Sequence, residues 1–184
     1  VTTRDNSAIG RAAQAVGASL ESWIDAQHSV AKMSGILAHI AHNQAQSNVV
    51  GGRLIYTAAG VSDYTGILDG KTGRYVGVEA KSTKAESLPR SAVKPKQQEH
   101  LEVVARAGGL ALLVVEFRIT ELPLRYRFAV PWLEVPWETK RSAESVSAEL
   151  LGPWLIDPGT CYLERFHPRG VPTSKHNVRV YPRE

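Results

Sequence analysis

The chain has 184 residues, 43% hydrophobic and 22% charged, which fits a globular domain with a sizeable core and excludes a disordered or low-complexity chain. A formal net charge of +4 and a pI near 9.3 are compatible with a polyanionic partner without requiring one. The single cysteine, Cys161, excludes an internal disulfide framework, fits a reducing compartment and reads as a packing residue.

No apolar run is long enough to span a bilayer and no signal-peptide core is visible, so a soluble, cytoplasmic protein is expected. Residues 1–7 are polar and expected to fray. Residues 9–16 are alanine-rich and suit a short helix that Gly17 interrupts. Ser19 then fits an N-cap for a helix with Leu20, Trp23, Ile24, Gln27, Val30 and Ala31 on one stripe. Glu21, in its first turn, either answers the helix dipole or adds an acid to a site. After Gly35, residues 36–42 alternate as a strand, with Ile36, Ala38, Ile40 and His42 on one face and Leu37, His39 and Ala41 on the other. His39 and His42 lack a third ligand at zinc spacing and are read as partly exposed groups able to meet a phosphate. Residues 43–48 read as a loop, and Gly51-Gly52 as the turn of a tight hairpin leading into strand Leu54–Thr57.

The stretch from Asp63 to Thr83 organises the rest. Asp63–Leu68 and Arg74–Lys81 both alternate around Asp69-Gly70-Lys71-Thr72-Gly73, the pattern of a β-hairpin with a five-residue loop. On the second strand Val76, Val78 and Ala80 face a core, while Tyr75, Gly77, Glu79 and Lys81 face the other way. Antiparallel pairing brings Asp63 near Glu79 and Lys81. Two carboxylates beside one lysine are what a metal-dependent phosphodiesterase needs: acids for Mg²⁺ and an ammonium for the phosphate or the water. The competing reading is a set of cross-strand charges on a solvated hairpin, with only a small effect on stability.

Residues 82–94 read as a loop, in which Lys84, Arg90 and Lys94 either meet a phosphate backbone or are simply solvated. Pro95 opens a helix over Lys96–Ala107, with Gln97, Leu101, Val104 and Ala105 on one face, closed by Gly108-Gly109. Leu110–Phe117 is a buried central strand, and if it lies parallel to Arg74–Lys81 the helix is a right-handed crossover. Arg125–Val130 is a further strand, and residues 131–137 and 143–151 are short helical candidates. From Pro153 the chain reads as a proline-rich basic arm carrying Arg165, His167, Arg169, Lys175, His176, Arg179 and Arg183, either packed loosely or laid on a nucleic-acid backbone. The whole is expected to be one α/β domain over residues 1–184, a mixed central sheet flanked by helices.

Taken together, several segments resemble the RecU-type Holliday junction resolvases of the PD-(D/E)xK nuclease superfamily. They are Gly17-Ala18-Ser19-Leu20-Glu21, Asp63-Tyr64-Thr65-Gly66, Val78-Glu79-Ala80-Lys81-Ser82-Thr83, Leu88-Pro89, Gln97-Gln98-Glu99-His100-Leu101 and Gly108-Gly109. The resemblance covers roughly residues 17–130. It implies a restriction-endonuclease-like core and a Mg²⁺-dependent homodimer, with Mn²⁺ as a substitute, that cuts opposed strands of a four-way DNA junction in recombination and repair. By motif, Asp63, Glu79 and Gln97 correspond to metal ligands, Lys81 to the transition-state stabiliser and Glu21 to an accessory acid, with Gln98 the neighbour that competes with Gln97. Two departures stand out. Val61 occupies the place where the family often has threonine, so either a ligand is lost or Ser62 or Thr65 replaces it. The interval that holds the family's junction-inserting stalk does not match by sequence. The alternatives are a restriction-like or repair nuclease of the same superfamily and a basic DNA-binding module without catalysis. A glycosidase carboxylate pair is more distant, since the lysine suits phosphate better than sugar.

Overall fold

The computed structural model of the chain describes residues 20–43, 46–50, 53–57, 61–68, 73–118, 125–140 and 143–167. Its centre is a five-stranded mixed sheet. Five strands build it: β1 (Leu37–His42), β4 (Tyr64–Leu68), β5 (Tyr75–Thr83), β7 (Leu110–Arg118) and β8 (Arg125–Pro131), in the order β1-β4-β5-β7-β8. β5 and β7 are parallel and every other neighbouring pair is antiparallel. A parallel pair needs a crossover, and helix α2 (Pro95–Arg106) lies in the β5–β7 connection. Pro95 starts α2, where a missing N–H costs nothing, and Gly108 (φ +83°) follows its end.

The sheet separates two cores. On one face, helix α1 (residues 20–33) lays Leu20, Ile24 and Ala31 against Val76, Val78, Leu112 and Val114. On the other, Leu101 and Val104 of α2 meet Leu113, Val115 and Val130. A small sheet of β6 (Ser87–Pro89), β10 (Ala143–Ser147) and β9 (Glu138–Lys140) closes this second side, with Leu88 and Val146 buried. β2 (Gln46–Val50) and β3 (Arg53–Thr57) pair only with each other, as a two-stranded ribbon. Among the described residues no helix is long and apolar enough to cross a membrane.

The mixed sheet with flanking helices is the one expected, and several local readings are corrected. Residues 46–48, read as loop, belong to β2, whose Val50↔Arg53 pairing fits the two-residue turn expected at Gly51-Gly52, itself outside the described residues. Residues 82–94 are not one loop: β5 runs to Thr83, β6 follows, and Arg90–Ala92 form a 3-10 turn. Residues 143–147 are a strand rather than a helix, because β6 and β9 supply its ladder on both sides. The segment after Pro153 is no loose arm as far as His167. Cys161, Tyr162 and Leu163 are buried in the α1-side core, and residues 168–184, with their basic side chains, lie outside the described residues, as do residues 1–19. On α1 the buried stripe runs through His28, while Val30 is 47% exposed. On β1 an irregularity between Leu37 and His39 shifts the pairing, so Leu37 and Ile40 both serve the core and strict alternation fails. Gly66 is required beside it: a Cβ there would lie 2.2 Å from the His39 carbonyl oxygen.

Candidate active site

The hairpin register decides the site. Tyr64 pairs with Val78 and Gly66 with Val76, so Asp63, one residue before β4, falls opposite Glu79. The Asp63 carboxylate (Oδ2) accepts the Ala80 backbone N–H at 2.8 Å. Glu79 accepts a hydrogen bond from Lys81 Nζ through Oε1. The expected meeting of Asp63, Glu79 and Lys81 is therefore present. The solvated-hairpin alternative does not hold. Glu79 is fully buried, and α2 covers its face of the sheet, with the His100 ring next to Gly77.

Burial and the neighbouring Asp63 push the Glu79 carboxyl up to about 7, against the opposing pull of Lys81. Its second oxygen, Oε2, is buried with no hydrogen-bond partner. A buried, unsatisfied carboxylate oxygen beside a second carboxylate is costly unless something positive is shared between them. Among the described residues no group of three or more His, Cys, Asp or Glu is placed to hold a metal. A pair of carboxylates fits a hard divalent cation that keeps much of its shell as water and substrate oxygens.

The support around Asp63 comes from β1 and α1. Asn43 donates its backbone N–H to the Asp63 carbonyl at 2.7 Å, and its Nδ2 reaches Ser62 O and Thr65 Oγ1 at 3.1 Å each. Ser62 is buried, and its hydroxyl donates to the Tyr64 carbonyl at 3.1 Å. Both hydroxyls weighed as substitutes at Val61 thus already have partners, while Val61 itself is half exposed. Tyr64, buried next to Asp63, stacks on His42 with ring centroids 4.3 Å apart and donates its hydroxyl to the Glu21 carbonyl at 3.2 Å. Burial, Asp25 and Glu21 hold the Tyr64 hydroxyl firmly protonated. The contact tying Glu21 to the site runs through Tyr64. His39 is exposed, whereas His42 lies 3.7 Å from Asp25.

The two glutamines separate cleanly. Gln97 is buried on the sheet side of α2, as its stripe predicts, and its Oε1 accepts the Lys94 N–H at 2.9 Å. Gln98 holds the Arg90 turn, accepting from Arg90 Nε at 3.0 Å and donating to the Val93 carbonyl at 2.7 Å. Of the three cations flagged for phosphate, Lys84 and Lys94 are exposed. Arg90 pairs with Glu144 at 2.8 Å and lies 5.8 Å from the Trp132 and Trp137 ring centres. Sequence reasoning missed Asn43, Tyr64 and Asp25, whose roles depend on strand register and helix docking. The only linear hint was that Tyr64 follows the aspartate.

A five-stranded mixed sheet with helices on both faces, and an Asp and a Glu-x-Lys brought together on its middle hairpin, defines the restriction-endonuclease-like class. Residues 17–151 match the Recombination protein U (RecU) family, and the chain belongs to that family. Among solved structures it is similar to Hjc, a Holliday junction resolvase from the archaeal hyperthermophile Archaeoglobus fulgidus. The identity is 16%, covering 52% of this chain and 74% of that one, with a TM-score of 0.35. No curated protein sequence matches.

Proposed function

We propose that the protein is a Mg²⁺-dependent endonuclease that resolves four-way DNA junctions as a cytoplasmic homodimer, with Mn²⁺ able to substitute. The observation that carries this reading is the buried Glu79 oxygen left without a partner between Asp63 and Lys81. Asp63 and Glu79 would hold the cation, with Gln97 and Glu21 as accessory groups. When bound, the cation supplies charge neutralisation at the scissile phosphate. The Lys81 ammonium, held against Glu79, offsets charge that builds on the phosphate as its bond to the leaving oxygen breaks. The β-hairpin fixes Asp63 through the Ala80 N–H and the Asn43 clamp, so the two carboxylates need not be organised when substrate arrives. A two-fold dimer would present two such sites to a two-fold junction. Membership of a recombination-protein family supports the choice of DNA junctions as substrate.

The test is cleavage of a labelled four-way junction beside a linear duplex of the same sequence, with and without Mg²⁺, by the wild type and Lys81→Ala. Paired nicking of the junction alone, dependent on both Mg²⁺ and Lys81, is expected. Equal cutting of both substrates would keep the nuclease and discard junction selectivity. No cutting with any divalent metal would leave a DNA-binding module.

A further inference from the structure

Arg90 is the point where three elements meet. Its Nε donates to Gln98 Oε1 on α2 at 3.0 Å, and its Nη1 donates to Glu144 Oε2 on β10 at 2.8 Å. Its guanidinium carbon lies 5.8 Å from the ring centres of both Trp132 and Trp137, which meet edge to face. Gln98 in turn commits its whole amide to the same place. Its Oε1 accepts from Arg90, and its Nε2 donates to the carbonyls of Val93 at 2.7 Å and Arg90 at 3.3 Å. A planar guanidinium with fixed donors suits such a hub, and an ammonium does not. With its charge met by Glu144 and two indole rings beside it, Arg90 has a different part from the phosphate contact expected of it.

The hub matters because α2 has little else to hold its start. The N-cap is Lys94, whose side chain offers no acceptor, and no acid stands in the first turn. That turn carries Gln97 beside Gln98, and Gln97 is buried toward the sheet. α2 runs back along β5: Gly109, just past its end, lies against the Tyr75 carbonyl, and the His100 ring lies over Gly77. Gln97 is three residues before His100, so about 4.5 Å nearer the helix start. That brings it toward the level of Glu79, which is about 6.6 Å along β5 from Gly77. Neighbouring residues of a helix keep a fixed angle between them, so holding Gln98 also sets the direction of Gln97. We propose that Arg90 is a positioning residue of the candidate active site, clamping Gln98 so that the first turn of α2 keeps Gln97 at the level of Glu79. The clamp stands without the nuclease reading; its consequence for cleavage rests on that reading.

The test compares full-chain wild type, Arg90→Ala, Arg90→Lys and Glu144→Gln in three measurements. They are single-turnover cleavage of a labelled four-way junction at saturating protein with Mg²⁺, junction binding in EDTA across a salt series, and hydrogen exchange of the residue 96–99 amides without DNA or metal. For Arg90→Ala we expect faster exchange at 96–99 and a cleavage rate lowered about tenfold, with junction affinity and the slope of log affinity against log salt unchanged. Arg90→Lys is expected to rescue neither exchange nor rate, since one ammonium cannot hold Gln98 and Glu144 together. Glu144→Gln keeps the shape and weakens the hub from its far side, so it serves if Arg90→Ala does not fold. Its cleavage rate is expected to fall a few-fold with the salt slope unchanged. A slope reduced by about 1 in Arg90→Ala, or a steeper slope in Glu144→Gln, would make Arg90 a phosphate contact and overturn the proposal. Exchange or cleavage equal to wild type in Arg90→Ala would overturn it too. Faster exchange in Arg90→Ala beside a wild type that cuts no DNA with any metal rejects the nuclease reading and keeps the clamp. Unchanged exchange beside an active wild type rejects the clamp alone.

Discussion

Glu79 and Glu116 are both fully buried, on neighbouring strands three residues out of register, and their surroundings treat the charge in opposite ways. Glu116 has close partners on both oxygens and three arginines around it. Glu79 has Lys81 on one oxygen, nothing on the other and Asp63 alongside. A buried acid that is fully partnered serves the architecture. One left half partnered beside a second acid is kept at a cost to the fold, and that cost is what a ligand can relieve.

Substitution breaks this comparison most sharply. Glu79→Gln is expected to lower junction cleavage by roughly 10³-fold in single-turnover assays while changing stability by less than about 1 kcal/mol, because it removes an ill-paired buried charge and keeps the shape. Loss of stability with cleavage intact would reverse the assignment. For Glu116→Ala the opposite balance is expected. Removing one partner of a buried pair strands the arginines, and urea unfolding should show a loss of about 3 kcal/mol or more. A Glu116→Ala protein as stable as the wild type would mean that the arginines do not depend on it.

An unpartnered buried atom does not by itself mark a site, and His28 sharpens that point. Its Nδ1 is buried without a partner, its Nε2 lies 2.5 Å from Tyr162 Oη, and burial with Lys32 and His42 nearby pushes its pKa down to about 3. It stays neutral in the folded protein, whereas the unfolded chain binds a proton below about pH 6.5. Stability should therefore fall as pH drops from about 6.5 toward 3, by roughly 2 kcal/mol between pH 6.5 and 5. His28→Phe should flatten the part of that slope due to this residue in thermal melts at fixed ionic strength. An equally steep pH dependence in the variant would place the lost protons elsewhere. The smallest expected effect is at Asn43. Asn43→Ala removes two side-chain hydrogen bonds beside Asp63 but keeps the backbone one, so a stability loss of about 1 kcal/mol and a few-fold drop in cleavage are expected. A drop as deep as that of Glu79→Gln would make Asn43 part of the chemistry rather than its support.

The sequence by itself determined the middle of this protein. Alternation from Asp63 to Lys81, the Pro95 start and glycine end of α2, and the apolar run from Leu110 are local signals whose geometry leaves little choice. They bring Asp63 near Glu79, as observed, and allow β5 and β7 to be parallel, which the strand register shows they are. Only the tertiary structure decided the rest. Ala143–Ser147 has the alanine and glutamate of a helix and becomes a strand because β6 and β9 satisfy its backbone. Cys161-Tyr162-Leu163 is too short to show any period and is buried because α1 offers His28 and the Gln27 carbonyl to it. The contrast between Glu79 and Glu116 is invisible in the chain for the same reason. Each is one glutamate in an apolar strand, and its fate rests on partners from other strands, which register and helix docking bring or withhold.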